Sequence, residues 1–348
     1  LLAYYVCAYT QDTDNTMTSD PLQTLFLALE QAADKTPQNV LFLYAPSQKR
    51  PGVLKDAEVN IYNPLAVMSN DNIAVLPRDI EPRPYDLVLA LPPKNKDEMC
   101  ALIGFGCQML DKRGTMIVSA ANDAGGKSLE REMKVLDIPL QSVTKHKSRA
   151  VILRKDGEGN ADIINRWAAD ISLQYHENTG MWTYPGLFAW DKIDRGSKLL
   201  KNLLPETMAG QIADFGCGHG YLTKVIQSRL KDGVIHAIDK DARAVDATKK
   251  NTDIGKVRFR HEDATRPVNN LPPLDTVVMN PPFHTAKKPD ISLGQGFIMN
   301  AAHHLKEGGV LYMVANRHLA YEKTLRATFS SGDMLAEQDG FKIFRAVK

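Results

Sequence analysis

Short apolar segments bounded by turn residues alternate with helical patterns along most of the chain, and this alternation restricts the possible folds most strongly. The first half contains three such segments, at Asn39–Pro46, Tyr85–Pro93 and Gly114–Asn122. The second half contains four, at Gln211–Gly220, Gly233–Asp239, Leu274–Pro282 and Gly308–Asn316. Buried parallel strands that are separated by helices give this pattern. We therefore predict an α/β protein with two tandem Rossmann-like domains, each built on a doubly wound sheet.

The two halves also resemble each other in detail. Asp86 lies five residues before Leu91-Pro92-Pro93-Lys94, and Asp275 lies five residues before Asn280-Pro281-Pro282-Phe283. We interpret this as a duplication in which the first copy is degenerate. The polar stretch at 154–163 contains two glycines and suits a boundary. The predicted domains are therefore residues 1–156 and residues 157–348.

Composition limits the possible partners only weakly. The 348 residues, with 43% hydrophobic and 24% charged residues, exceed one ordinary globular domain. A formal net charge of +2 means that any nucleic-acid partner has to be argued from local patches. The four cysteines (Cys7, Cys100, Cys107 and Cys217) form no C-x-x-C pair and have no histidine at metal-ligand spacing. We expect reduced thiols in a cytoplasmic protein, without a disulfide or a metal.

The beginning of the chain is apolar, but it does not have the pattern of a membrane anchor. The segment LLAYYVCAYT lacks a basic flank and is far too short to cross a bilayer. Ser19, Asp20 and Pro21 follow Met17 and are typical of a helix start. We expect the natural protein to begin near Met17, and residues 1–16 to add little to the fold.

A glycine-rich turn follows the first predicted strand of the second half. Its glycines, Gly216, Gly218 and Gly220, form a G-x-G-x-G pattern, whereas the dinucleotide fingerprint has its third glycine one residue later. The pattern favours S-adenosylmethionine over NAD. Glycine lets the backbone turn sharply and approach a ligand closely. Asp214 at the strand end is placed to bind the cationic amino group of the cofactor, and Cys217 supplies a small side chain within the turn.

Two further carboxylates follow the next predicted strands. Asp239 lies nineteen residues after Gly220, where a carboxylate can bind both ribose hydroxyls. Asp263 falls at the following strand end, within plausible reach of the adenine amine. Each acid alone is also consistent with a helix cap, but their order along the chain favours a cofactor site.

The sequence Asn280-Pro281-Pro282-Phe283 follows a predicted strand, and its two prolines can extend neither a central strand nor a helix. An exocyclic amine on a base is a poor nucleophile, so methyl transfer depends on positioning and on hydrogen-bond acceptors. The Asn280 side-chain oxygen and the Pro281 carbonyl can each accept one N–H of such an amine. The two prolines hold that carbonyl in place, and Phe283 offers a face on which a base can stack.

These segments together resemble the class I S-adenosylmethionine-dependent methyltransferases that act on planar nitrogens. The sequence is most similar to the bacterial ribosomal RNA guanine-N2 methyltransferases, namely the small-subunit methyltransferase C type and its large-subunit relative. The resemblance spans most of residues 80–348. It depends on the segments Pro92–Met99, Tyr184–Leu200, Asn280–His284, Gly308–Leu325 and Phe341–Ala346.

The resemblance implies methyl transfer to guanine N2 in ribosomal RNA, with the small-subunit RNA favoured, by a cytoplasmic protein for which we favour a monomer. It implies that the first half is a scaffold and RNA-docking domain, since Leu91 replaces Asn280 there and no glycine turn is present. The basic residues at 145–149, with Arg154 and Lys155, could contact phosphates, or could form a solvated loop. Near the site, His284, Lys287 and Lys288 are candidates for RNA binding.

Two other functions remain open at this point. A protein-glutamine or DNA-adenine methyltransferase can use the same acceptor geometry, but most often has Tyr at the position of Phe283. A non-enzymatic RNA-binding or ribosome-assembly factor would need neither an intact glycine turn nor Asn280. Binding of the cofactor would separate this last alternative from an enzyme.

Overall fold

The computed structural model describes residues 19–32, 35–46, 51–67, 73–282, 284–285, 288–289 and 291–348, with the backbone alone at 284–285 and 288–289. The chain divides into two compact units, Leu1–Pro64 with Ser69–Ser172 and Leu65–Met68 with Leu173–Lys348. This division follows Ser172, and the domain boundary at residue 156 stays a prediction. The helix Ala161–Ala169 packs on the helix Lys96–Met109, which places it within the first unit.

The first unit contains four helices and seven strands among its described residues, together with short 3₁₀ turns. In chain order they are α1 (Pro21–Ala32), β1 (Asn39–Leu43), β2 (Glu58–Tyr62), β3 (Ile73–Ala74), β4 (Tyr85–Ala90), α2 (Lys96–Met109), β5 (Leu110–Ala121), α3 (Lys127–Met133), β6 (Leu140–Lys145), β7 (Ser148–Arg154) and α4 (Ala161–Ala169). Helix α1 starts as predicted, because Asp20 Oδ1 accepts the Gln23 N–H at 2.8 Å and Pro21 needs no donor there.

The second unit begins with a two-stranded hairpin and then repeats the α/β plan. Its elements are β8 (Gln174–His176), β9 (Met181–Thr183), α5 (Arg195–Leu203), β10 (Met208–Phe215), α6 (Tyr221–Arg229), β11 (Leu230–Asp239), α7 (Ala242–Asn251), β12 (Val257–His261), β13 (Leu274–Met279), β14 (His284–Thr285), β15 (Lys288–Pro289), α8 (Ile291–His304), β16 (Leu305–Asn316), α9 (Glu322–Thr328), β17 (Ser331–Gln338) and β18 (Phe341–Val347).

The two large sheets have the same topology, which confirms the predicted pair of Rossmann-like domains. The strand orders are β3-β2-β1-β4-β5-β7-β6 and β12-β11-β10-β13-β16-β18-β17. Five strands in each sheet are parallel, and the last two form an antiparallel edge hairpin. The order reverses between β10 and β13 in the second sheet, and ligands of doubly wound sheets bind outside the carboxyl ends of strands at such a point.

Both faces of each sheet are buried, which explains why the strand sequences are continuously apolar and do not alternate between apolar and polar residues. In β1, Leu41 and Leu43 pack in one core while Val40 and Phe42 pack in the core on the other face of the sheet. In β10, Phe215 and Ile212 divide between the two cores of the second unit in the same way. Each strand therefore contributes to two cores, as the sequence predicted.

The two aspartates that revealed the repeat have the same structural role. Asp86 in β4 accepts the N–H groups of Gln38 and Asn39 at 2.9 and 3.0 Å, at the start of β1. Asp275 in β13 accepts the N–H of Gln211 in β10 at 2.7 Å. Each aspartate thus ties its strand to the neighbouring one at the amino end of the sheet, away from the predicted site. The spacing shared by the two halves therefore reflects a shared structural bond.

Candidate active site

The predicted site residues of the second unit come together at the carboxyl edge of its sheet. Strands β10, β11, β12 and β13 are mutually parallel, so the segments that follow them lie at one edge. The glycine turn follows β10, Asp239 ends β11, Asp263 follows β12 and Asn280 follows β13. A site is thereby built from four separate parts of the chain.

The glycine turn has the backbone conformation that requires glycine. Gly216, Gly218 and Gly220 have φ values of +74°, +54° and +87°. The N–H groups of Gly216 and Cys217 donate to the Ile238 carbonyl at 2.8 and 3.1 Å, which fixes the turn against β11. A Cβ at Gly220 would lie 2.9 Å from Thr248 Oγ1 on α7, while at Gly218 the space is open. The chain therefore passes very close to α7 and leaves room at the centre of the turn.

Asp214 is wholly buried beneath this turn. Its Oδ2 accepts the Thr223 hydroxyl at 2.6 Å, but its Oδ1 meets no hydrogen-bond donor among the described residues. Burial raises the pKa of Asp214 to about 7. An unpartnered buried carboxylate oxygen is costly, and a cation bound here would both supply the missing donor and favour the charged form.

The other two acids support the backbone of the site. Asp239 accepts the N–H groups of Gly218 and Asp241, each at 2.9 Å, and burial raises its pKa to about 6. Asp263 Oδ1 accepts the N–H and the hydroxyl of Thr265 at 2.9 and 2.7 Å. Both acids therefore cap turns at the sheet edge, and their predicted contacts with a cofactor remain predictions.

Cys217 is a structural residue of the turn. Its side chain is buried, and burial raises the pKa of its thiol well above the usual value. The hydroxyl of Thr248 lies 3.5 Å from its sulfur. A thiol held in this protonated form is a poor nucleophile, which agrees with the predicted role of a small filling side chain.

Asn280 is held in one orientation by two residues that we did not predict from the sequence. Its Nδ2 donates to Asp194 Oδ2 at 3.0 Å and to Ser197 Oγ at 2.8 Å. Because a carboxylate can only accept, the Asn280 nitrogen must face Asp194 and its oxygen must face away. Asp194 is itself fixed as the N-cap of α5, accepting the Ser197 N–H at 2.7 Å.

The residues after Asn280 are described only in part. Pro281 is buried and Pro282 is exposed. Phe283 and Lys287 lie outside the described residues, so their predicted contacts with a base and with RNA remain untested. His284 and Lys288 lie in the short hairpin of β14 and β15, where His284 pairs with Pro289 and Thr285 with Lys288.

The segment before α5 forms the opposite wall of the site. Phe188 is 56% exposed although it is a large apolar side chain, so it does not pack in the core. A pocket joins this wall to the turn and to Asn280, and it is lined by Phe188, Ala189, Asp194, Ser197, Gly216, Cys217, Gly218, His219, Tyr221, Leu222 and Asn280. The D-x-x-S spacing of Asp194 and Ser197 is a helix-cap signal, and it could have identified the cap but not its second partner.

Within the described ranges, no group of three or more His, Cys, Asp or Glu side chains is arranged to hold a metal ion. None of the helices described is long and apolar enough to cross a membrane.

Comparisons with known proteins agree with this geometry. Over 266 residues the chain is 26% identical to ribosomal RNA small subunit methyltransferase C of Shewanella pealeana, covering 76% of this chain and 78% of the relative. It is 33% identical to the protein of the same name from Acinetobacter baylyi over 189 residues, which are 53% of this chain and 55% of that one.

The fold of the whole chain also has a solved counterpart. A T. thermophilus 16S rRNA N2 methyltransferase, in complex with AdoMet and guanosine, superposes with a TM-score of 0.72 at 22% identity, covering 95% of this chain and 94% of that one. Residues 178–345 match the model of the methyltransferase small domain. This match lies within the second unit, and together with the named relatives it supports the resemblance described from the sequence.

Proposed function

We propose that this protein transfers a methyl group from S-adenosylmethionine to the exocyclic N2 amine of a guanine in small-subunit ribosomal RNA. The observation that carries the proposal is the fixed amide of Asn280. Its two N–H groups are occupied by Asp194 and Ser197, so its oxygen is left to accept a hydrogen bond from a substrate amine. The names of the relatives support the RNA substrate, and the glycine turn supports the cofactor.

The residues at the turn fit S-adenosylmethionine. The unpartnered Oδ1 of Asp214 suits its cationic amino group, and the open space at Gly218 suits close approach of the ligand. Asp239, held by two backbone N–H groups, retains lone pairs that can accept ribose hydroxyls. Asp263 would bind the adenine amine, and Phe188 would cover the ligand from the opposite wall. When bound, this cofactor supplies an electrophilic methyl group on a sulfonium.

Asn280 and Pro281 would activate the amine by orienting it. The Asn280 Oδ1 and the Pro281 carbonyl each accept one N–H, which directs the nitrogen lone pair toward the methyl carbon. The nitrogen would gain positive charge as its new bond to carbon forms and the carbon–sulfur bond breaks, with that electron pair going to sulfur and S-adenosylhomocysteine leaving. Both oxygens would stabilise the charge on nitrogen. Asp194 strengthens the effect, because its negative charge polarises the Asn280 amide through the Nδ2 hydrogen bond. The extra proton on nitrogen then passes to solvent.

RNA would be bound by both units. We propose that Phe283 stacks on the target base, and that His284, Lys287 and Lys288 contact the RNA near it. We propose residues 1–156 as the RNA-docking scaffold and residues 157–348 as the catalytic domain. The basic cluster of the first unit is smaller than the sequence suggested, because Arg154 donates to the Ala32 carbonyl and Lys155 to the carbonyls of Cys107 and Leu110. A protein that modifies ribosomal RNA in this way would work in the cytoplasm, and we propose a monomer.

Mass spectrometry of nucleosides tests this proposal directly. Small-subunit ribosomal RNA lacking the modification is incubated with the full chain and methyl-labelled S-adenosylmethionine, then digested. We expect labelled N2-methylguanosine with the native protein and none with Asn280→Ala. In parallel incubations with DNA and with ribosomal protein, label in adenine of the DNA or in glutamine of the protein would replace the proposed substrate with one of the alternatives. Cofactor-independent RNA binding without any labelled product would indicate a non-enzymatic RNA-binding protein.

A further inference from the structure

The hairpin of β8 and β9 presents an aromatic pair on its outer face. Tyr175 and Trp182 are directly opposite each other across the two strands, and their rings lie 5.8 Å apart in an edge arrangement. The inner face of the hairpin carries Met181 and Thr183, which are 3% and 0% exposed. Tyr175 is 53% exposed. Cross-strand pairing accounts for the contact between the two rings, but it does not require the tyrosine to be in solvent.

A lysine packs against this pair. Lys250 Nζ lies 4.9 Å from the centre of the Trp182 ring, in cation–π geometry. Lys249, the preceding residue on α7, is also exposed, whereas Lys224 on α6 lies with its Nζ 4.0 Å from Met181 Sδ on the inner face. Glu177 at the tip of the hairpin is the opposing exposed charge. We name Tyr175, Trp182, Lys249 and Lys250 the aromatic–basic surface. An exposed tyrosine ring beside ammonium groups suits a base next to phosphates in a single strand.

One side chain fixes the aromatic–basic surface to the glycine turn. Asn251 Oδ1 accepts the backbone N–H of Trp182 at 2.8 Å. Asn251 Nδ2 donates to the backbone carbonyls of Trp182 at 2.7 Å and of His219 at 2.8 Å. His219 lies between Gly218 and Gly220 in the turn and lines the pocket. Tyr184, directly after β9, donates to Asp246 on α7 at 2.6 Å. The aromatic pair is therefore held in a constant position beside the site.

We infer that the aromatic–basic surface binds an unpaired segment of the substrate RNA by stacking a base on Tyr175, which Trp182 supports from the opposite strand, with Lys249 and Lys250 contacting the phosphates. The inference rests on the proposed function for its RNA substrate. It adds a second contact for RNA within the catalytic unit itself, apart from the first unit and from the residues after Asn280. A nucleotide swung out toward Asn280 leaves its neighbours unpaired or strained, and a nearby stacking surface would hold them.

Binding of a fluorescein-labelled oligoadenylate of about twelve nucleotides, without cofactor, tests this inference by fluorescence anisotropy. Tyr175→Ala in the full chain should weaken binding about tenfold, and Tyr175→Phe should restore it because the ring is kept. Lys250→Gln should weaken binding and reduce the salt dependence by about one phosphate contact. Met334→Ala is the matched control, since Met334 is 51% exposed on β17 of the same unit and should have no effect.

Two results would overturn the inference. One is equal oligoadenylate affinity of the native chain and Tyr175→Ala, and the other is equal affinity for a blunt RNA duplex and for the single strand. The outcome is separable from the proposed function. Labelled N2-methylguanosine formed by a chain whose RNA binding ignores Tyr175 removes the inference alone. Tyr175-dependent binding of the oligonucleotide, without any methylated guanosine from ribosomal RNA, supports the surface and removes the guanine-N2 assignment.

Discussion

The two units share one sheet topology but differ at the carboxyl edges of their first strands. Leu43 pairs with Ala90 at the end of β1, as Phe215 pairs with Met279 at the end of β10. The next residue is Tyr44 in the first unit, with φ +59°, and Gly216 in the second, with φ +74°. The first unit has thus kept the left-handed backbone turn although its residue there is no longer glycine.

Side chains fill the space that the turn leaves in the first unit. The Tyr44 hydroxyl hydrogen-bonds to the buried carboxylate of Glu98, and its ring lies 5.8 Å from that of Tyr62. Leu91, at the position of Asn280, is 4% exposed. Asn63 donates to the Ala45 carbonyl at 3.0 Å, where its counterpart Asp239 accepts a backbone N–H. Both units therefore share the sheet as a scaffold. A few residues at its carboxyl edge decide whether side chains fill that edge, as in the first unit, or leave a pocket there, as in the second.

The largest effect should come from Asn280→Ala. The substitution removes the oriented acceptor and should lower kcat by about a hundredfold to a thousandfold. Affinity for S-adenosylmethionine, measured by calorimetry, should stay nearly unchanged, because the side chain acts on the amine. Leu91→Ala in the first unit is the counterpart, and it should reduce thermal stability while leaving kcat intact. Loss of both cofactor affinity and turnover in Asn280→Ala would show that Asn280 builds the pocket instead.

A second prediction tests whether the cofactor binds only at the carboxyl edge of the sheet in the second unit. Calorimetry should give one cofactor per chain. Gly220→Ala should weaken binding by about tenfold or more, because its Cβ would press on Thr248 at a φ of +87°. Gly340→Ala is a matched control with φ +84° and no atom within 4 Å, so it carries the same backbone strain away from the turn.

Tyr44→Gly completes this test in the first unit. It should lower the melting temperature, since the ring and its bond to Glu98 are lost, yet it should not create a second binding site. A stoichiometry of two, in the native chain or in Tyr44→Gly, would contradict the view that the edge is sealed by several side chains together.

The third prediction separates the two roles of Asp194, which caps α5 through the Ser197 N–H and orients Asn280 through its Nδ2. Asp194→Ser keeps an N-cap for α5 but is too short to reach Asn280, so kcat should fall about tenfold with the cofactor affinity preserved. Asp194→Asn retains an oxygen that can accept both the Ser197 N–H and the Asn280 Nδ2–H, so its kcat should fall much less. Asn95→Ser, a cap exchange at the start of α2 in the first unit, should leave kcat unchanged. Equal activity of Asp194→Ser and Asp194→Asn would limit Asp194 to a capping role.

The fourth prediction concerns pH. The folded pKa of Asp214 is raised to about 7, so the folded state holds a proton that the unfolded state has released. Its contribution to stability is therefore present at low pH and is lost as the pH rises toward 7. Cofactor affinity should change in the opposite direction, rising about tenfold between pH 6 and pH 8, because the bound cation needs the carboxylate.

Asp214→Asn should reduce the pH dependence of both the stability and the cofactor affinity. Melting temperature and calorimetric affinity are measured over the same pH range for the two proteins. Asp239, whose pKa is raised to about 6, remains in the variant and accounts for a residual slope at lower pH. An unchanged pH dependence in Asp214→Asn would assign the proton to another group.

The sequence was sufficient to predict the fold and the order of the site. Continuous apolar runs predicted strands buried on both faces, and the spacing from Asp86 and Asp275 predicted the repeat because each aspartate makes the same bond. The glycine turn was predicted because only glycine suits three left-handed residues so close together. Strands such as β6 and β17 were missed, since their mostly exposed residues lack a continuous apolar pattern.

The partners of the site could not be predicted from local patterns. Asp194 lies 86 residues before Asn280, and nothing in the sequence near either residue indicates that they meet. Likewise, Tyr44 occupies a glycine conformation without any sequence signal, because tertiary contacts with Glu98 and Tyr62 hold it there. The acids Asp239 and Asp263 were recognised, but the hydrogen bonds of Asp239 to Gly218 and of Asp263 to Thr265 became visible only in the structure.

The smallest effects should come from the basic turn between β6 and β7 in the first unit. Lys145 and Lys147 are exposed there, whereas Arg149 pairs with Glu130 at 3.5 Å. Lys145→Gln with Lys147→Gln should weaken binding of small-subunit ribosomal RNA only a few-fold at about 0.15 M salt, because each lysine supplies one exposed phosphate contact. The slope of log affinity against log salt should fall by about two, and kcat at saturating RNA should not change. Arg149→Gln serves as the control, since a charge already paired with Glu130 should contribute less. If the double variant keeps the full salt slope, the first unit does not contact RNA through this turn, and docking must be assigned to another of its faces.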